Sequence, residues 1–217
     1  MSGSWFDRSG YSEGSELSFS DTELRDLAVA WIVLSVAFSL FLNAPAWGLF
    51  SLSDFLLMTV LSSFTVGVAF LLHELAHKVV AIEFGQTAEF RADYGMLFMA
   101  IMSALIGFLF AAPGAVYHRG RITVEQNGII ALAGPVTNLG LALVFFPLMF
   151  LPSVLGTIGH LGVVINLFLA TFNMLPFGPL DGKSVIQWSK QVFWLTFGVS
   201  LAVLIAFYLL FGLAFWY

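Results

Sequence analysis

His73 and His77 stand four residues apart, with Glu74 directly after the first, in the second half of a long apolar stretch spanning 55–84. On a helix, positions i and i+4 share one face, so both imidazoles can reach one metal ion. A glutamate beside such an ion is placed to act as general base on a water, the chemistry of zinc-assisted hydrolysis. The same five-residue pattern arises by chance in soluble helices. Here the surrounding stretch is long and apolar enough to span a bilayer. Ionisable groups are costly in hydrocarbon, so these three require a polar partner or a water-filled cavity. The expectation is hydrolysis inside a membrane, with one Zn2+ per chain.

A hydrolytic zinc takes three protein ligands and keeps one position for water. The sequence has no cysteine, so the third ligand must be His, Asp or Glu. Asp181 is the strongest candidate. It follows Pro176, Gly178 and Pro179, which end an apolar helix and leave non-helical backbone from which a carboxylate can turn toward a neighbour. Taken alone, Asp181-Gly182 in such a setting is an ordinary surface turn; a place on the same side as His77 favours ligation. Glu83 and Glu125 are the alternatives, although Glu83 lies only six residues beyond His77 on the same helix. Ile130, Gly134 and Asn138 share one helix face, where small residues allow close approach of a second helix. Asn138, polar at depth, must be satisfied. It either donates to a substrate carbonyl or developing oxyanion, or bonds a neighbouring helix. His118 and His160 read as peripheral to the metal.

These residues need elements to hold them. Of 217 residues, 59% are hydrophobic and only 10% charged, against about 25% charged in an ordinary soluble domain. The expected fold is an all-α polytopic membrane protein, with five to six transmembrane helices, a re-entrant segment and short β-strands near the active site. The net charge of −5 comes largely from acidic residues near the N-terminus, and no basic tract suits nucleic acid. Residues 1–22 read as a polar mobile tail, in which Ser20 with Glu23 forms a capping box that opens the first helix. Residues 23–217 read as one membrane-embedded domain with its core at 54–185. No cleavable signal peptide is expected.

Five stretches suit a span: 25–43, 54–84, 127–151, 158–177 and 191–216. A sixth, 95–112, is apolar enough to cross by length alone, but the basic residues argue that it re-enters. In that case all eight Lys and Arg fall on or near the cytoplasmic side, while the opposite loops at 44–53 and 152–157 carry none. The same topology brings Asp181 to the end of the helix that bears His77. Flanking this segment, 87–94 and 115–125 have strand character, the second with a turn at Gly120. Their edge either pairs with a substrate unwound to an extended form or belongs to a plain connecting hairpin. Arg119 and Arg121 suit lipid headgroups.

Taken together, His73-Glu74-Leu75-Ala76-His77 in a span, Gly134-Pro135-x-x-Asn138, and Asn173-x-x-Pro176-x-x-x-x-Asp181-Gly182 resemble the site-2 protease family of intramembrane zinc metalloproteases. Pro113-Gly114-Ala115 is similar to an element of some members. The resemblance covers most of the core, 54–185. It implies His73, His77 and Asp181 as zinc ligands, Glu74 as catalytic base, and Asn138 and Asn173 lining the site. It also implies cleavage of transmembrane helices of other membrane proteins; the side that carries the basic residues puts the active site of this multi-pass protein toward the cytoplasm. With no room for an inserted PDZ domain or a CBS appendage, the chain looks like a minimal form. Two other readings stay open: a membrane zinc protease of another family with a Glu as third ligand, and a metal-binding or transport protein. A movable gate between 25–43 and 191–216 is a further expectation.

Overall fold

The computed structural model describes residues 17–43, 51–110 and 112–212, so most of the expected polar tail lies outside the described residues. In chain order the elements are α1 (Asp21–Asn43), α2 (Leu52–Ser62), a π-helical turn (Ser63–Gly67), α3 (Val68–Glu83), β1 (Thr87–Ala92), α4 (Tyr94–Leu105), β2 (Gly114–Arg119), α5 (Val124–Phe145), a 3-10 turn (Phe146–Phe150), α6 (Val154–Asn173), α7 (Gly182–Trp188) and α8 (Lys190–Phe211). Among the described residues, five helical stretches are long and apolar enough to cross a membrane: α1, the rod from Leu52 to Glu83, α5 with its 3-10 extension, α6 and α8. They match the expected spans to within about five residues, the end of the last expected span (213–216) lying outside the described residues. The protein is an all-α polytopic membrane protein with one small sheet.

β1 and β2 pair antiparallel, with Thr87 opposite Arg119 and Ala92 opposite Gly114. That register decides how the intervening apolar segment runs. The chain leaves the sheet at Ala92 and returns beside it at Gly114. Between them α4 has 12 residues, about 18 Å of helix, too short for a hydrocarbon core of about 30 Å. The segment therefore enters and turns back, as the distribution of basic residues requires. Ala37 of α1 packs on Ala100 and Ala104 of α4, all fully buried, so one face of the outgoing helix is sheltered by protein, while Ile106 and Phe108 on the return are exposed.

Two expectations are corrected locally. The second strand stops at Arg119, because Gly120 turns with φ +139° and Thr123 caps α5. The full capping box forms there, between Thr123 and Gln126. At α1 only half of one forms: Ser20 Oγ accepts from the Glu23 amide at 3.1 Å. The Glu23 carboxylate does not reach back, being held by the Lys78 ammonium and the Phe90 amide.

α6 runs through the centre of the bundle, and α8 lies outside, with only 17% of its span buried; α8 therefore mostly faces lipid. The π-helical turn ahead of α3 has an evident cause. Trp31 of α1 lies against Gly67, where any side chain would strike the indole, and its Nε1 donates to the Ser63 carbonyl at 3.0 Å. A π-helical turn shifts the register of the helix beyond it, and here it sets the face that α3 presents to α5.

Candidate metal centre

α3 carries His73, Glu74 and His77 into the protein interior, each less than a tenth exposed. α5 packs against that face at Gly134. A Cβ built at Gly134 would lie 2.5 Å from His73 Nε2 and from His77 Nε2, so the bare glycine makes room for both imidazoles and for whatever they bind. Gly134→Ala is expected to eliminate bound metal, measured as zinc per chain, while α5 itself is strengthened by the better helix former.

The outer nitrogens of both rings are committed. His77 Nδ1 donates to the Ile130 carbonyl at 2.7 Å, and His73 Nδ1 donates to Asn138 Oδ1 at 2.6 Å. The orientation of Asn138 is fixed in turn. Its amide nitrogen donates to the Ala69 carbonyl at 3.3 Å and to Asn166 Oδ1 at 2.9 Å, and Asn166 donates to the Gly162 carbonyl at 2.8 Å. Because each Nδ1 faces an acceptor, each carries the ring hydrogen, and both Nε2 atoms are left as bare lone pairs. This is the outer-shell arrangement that fixes a metal-binding tautomer.

The two Nε2 atoms lie 3.0 Å apart. Asp181 approaches both, with Oδ2 3.2 Å from His73 Nε2 and Oδ1 3.4 Å from His77 Nε2. No hydrogen lies along these approaches, and Asp181 Oδ2 is buried without a hydrogen-bond donor. Three lone-pair groups so arranged repel one another until a cation sits among them. A tetrahedral zinc with bonds of about 2.0–2.1 Å separates its ligand atoms by about 3.3–3.4 Å, so this donor set and its spacing fit zinc. Among the described residues, His73, His77 and Asp181 form the cluster able to hold a metal; neither Glu83 nor Glu125 joins it.

Asp181 reaches the site because the turn after α6 frees it. It occupies the N-cap position of α7, yet its side chain makes no cap bond. Gly182 is backed against the Met174 carbonyl, where a Cβ has no room. Proline and glycine between them thus bring the backbone close to α3 and leave the carboxylate to face it.

A cavity of about 230 Å³ adjoins these residues, and Glu74 and Asn173 stand on its wall. Asn173 ends α6, partly buried, with its amide donating to the Leu169 carbonyl at 3.1 Å. Asn138 is fully buried behind His73. Asn166 is a site residue that the sequence reading misses; its one signal is an amide in the middle of a mostly apolar helix. His118 is less peripheral than expected. It lines the same cavity, and burial lowers its pKa below the ordinary imidazole value, partly offset by a hydrogen bond with Asn127. His160 packs against Phe207 instead.

The chain is 44% identical over 189 residues to the "Putative zinc metalloprotease MJ0611" of Methanocaldococcus jannaschii, a match covering 84% of this chain and 92% of that protein. It is 32% identical over 158 residues to the "Putative zinc metalloprotease YwhC" of Bacillus subtilis, covering 63% of this chain and 69% of that one. Similarity to the Mycobacterium tuberculosis protein named "Putative zinc metalloprotease Rip3" is 31% over 123 residues, 54% of this chain and 28% of that longer protein. No family model and no solved structure matches the chain. The helix that carries two bare imidazoles and the carboxylate that meets them belong to a chain related to these proteins over most of its length, and the chain is a member of their zinc metalloprotease family.

Proposed function

We propose that this protein is an intramembrane protease of the site-2 type, hydrolysing peptide bonds in or near transmembrane helices of other membrane proteins. The observation that carries the reading is the convergence of His73 Nε2, His77 Nε2 and Asp181 within a membrane-spanning architecture. Zinc bound among them would polarise the scissile carbonyl and bring a water toward neutral pKa. Glu74 takes the proton from the attacking water at its carboxylate and later delivers it to the leaving amine. Asn138 has both amide hydrogens committed, to Ala69 and Asn166, so it positions His73 rather than donating to an oxyanion. Asn173 keeps one uncommitted amide hydrogen and stands on the cavity wall, which suits it to that donor role.

A substrate helix must unwind before attack, and the sheet offers it a place. The Phe90 and Ala92 amides point away from β2, where Glu23 and Asp26 accept them. Their antiparallel partners Val116 and Gly114 therefore turn their own backbone groups away from β1. Both residues border the cavity, so an extended segment added to that edge lies beside the ligands. In this reading the site opens toward the cytoplasm, on the side that carries the basic residues.

The test uses full-length protein in lipid bicelles with a fluorogenic single-span peptide. Cleavage is expected to stop when zinc is stripped by phenanthroline and to return with stoichiometric zinc. Cleavage that persists after the metal is gone would overturn the reading.

A further inference from the structure

Glu23 and Lys78 form an ion pair with side chains only 1% and 3% exposed, their charged atoms 2.5 Å apart. Lys78 directly follows His77 on α3, while Glu23 sits in the first turn of α1. The second carboxylate oxygen of Glu23 accepts from the Phe90 amide of β1 at 3.0 Å. One carboxylate thus ties together α1, the helix that bears the metal ligands, and the sheet whose other strand borders the cavity. Stability is a poor reason for this arrangement, since an apolar pair of the same volume commonly serves a buried position as well or better. Asp26, one turn along α1, accepts from the Ala92 amide and from Tyr94 of the re-entrant segment. Glu23 differs from it in gripping the catalytic helix and the sheet at once.

We propose that Glu23 is a positioning residue that, by holding Lys78 with one oxygen and the Phe90 amide with the other, fixes the distance between the metal centre and the strand edge that receives substrate. This role rests on the protease reading above. The two arms act on different quantities. The Lys78 arm fixes the ligand helix and so governs turnover of bound substrate. The Phe90 arm fixes the sheet and so governs substrate binding.

The experiment compares full-length, zinc-loaded E23Q, K78M, E23L and E23Q/K78M in bicelles with the same single-span peptide, rates being expressed per bound zinc. E23Q cuts only the Lys78 arm, because Gln keeps an acceptor for Phe90; K78M cuts the same arm and also removes the Lys78 contacts with the Ser18 carbonyl and the Phe19 ring. They are expected to lower kcat about tenfold or more, as small misplacements of reacting groups do, with KM within about twofold of wild type. E23L cuts both arms and is expected to raise KM as well. E23Q/K78M leaves no unpaired buried charge, so its melting temperature should rise above that of either single variant while kcat does not recover. A merely structural pair predicts the opposite: kcat and KM per zinc stay at wild-type values in every variant, and only melting temperature or yield moves. That result overturns the proposal, as does full recovery of kcat in the double variant. If E23L fails to fold, the double variant still decides. Zinc-loaded wild type that cleaves nothing would remove the protease reading and this role together; wild type that cleaves while its variants match it removes this role alone.

Discussion

Glu74→Gln is expected to lower kcat by about 10²–10⁴-fold, the usual contribution of a general base, while bound zinc stays at one per chain. The two halves of this expectation come from separate observations. Glu74 stands on the cavity wall beside the ligands but is not one of the three groups that converge on the metal position. Gln has the same shape and cannot take a proton, so the change removes proton transfer without altering how His73, His77 and Asp181 meet. It also removes a carboxylate that is only 8% exposed, and burying an amide is less costly than burying a charge. The variant should therefore melt no lower than wild type. Zinc content, melting temperature and turnover of the single-span peptide check the three statements. A protein that carries metal across a membrane has no need of a proton acceptor directly after the first histidine; full metal transport by the variant, with no peptide cleavage by wild type, would favour that class instead.

How much of the fold and the site is legible in the sequence depends on what kind of constraint each residue answers. The spans are readable because hydrocarbon demands apolar length, and the bounds of all five follow from it. The re-entrant segment is equally apolar, so its hydropathy does not show that it turns back. The placement of eight basic residues does, and the pairing of Ala92 with Gly114 supplies the geometric reason. His73, Glu74 and His77 are legible because their spacing is a property of one helix.

Residues whose role depends on two elements are harder to read. Gly134 reads as a point of helix approach, but that its missing Cβ is the space between two imidazoles emerges only from the α3–α5 packing. Asn166 lies 28 residues from Asn138, and nothing in local pattern links them. Glu23 reads as half of a local capping box until α3 and β1 are set beside it. Inside a membrane, lipid-facing and protein-facing positions are both apolar, so periodicity carries less information than in a soluble helix. His118 escapes a sequence reading for a related reason. Only the pairing of β2 through Arg119 shows that alternation turns Val116 and His118 inward and Tyr117 outward, and Tyr117 is 65% exposed.

Asp181→Ala is expected to reduce zinc affinity by more than the tenfold to about hundredfold that loss of an outer-shell partner produces, because it removes a ligand itself. What remains is two neutral imidazoles whose Nε2 atoms lie 3.0 Å apart, facing a divalent ion with no negatively charged ligand, since Glu74 stands beside the site but is not one of the converging groups. Asp181→Asn separates charge from volume: it keeps an oxygen in place but not the formal charge, and its affinity should fall between the two. Because both Nδ1 hydrogen bonds to Ile130 and Asn138 are untouched, the histidines stay oriented and the fold should persist. Competition with a zinc-binding dye measures each affinity. The result bears on topology as well as chemistry. Asp181 can meet His73 and His77 only if the chain from β2 onward, through α5 and α6, returns to the end of the bundle where α3 finishes, and that requires the 95–112 segment to turn back. Loss of zinc in Asp181→Ala, with Glu83→Gln and Glu125→Gln holding zinc as wild type does, would establish the ligand set and agree with the re-entrant path; zinc retained in Asp181→Ala would refute the ligand set and leave that path resting on the pairing of β1 with β2 alone.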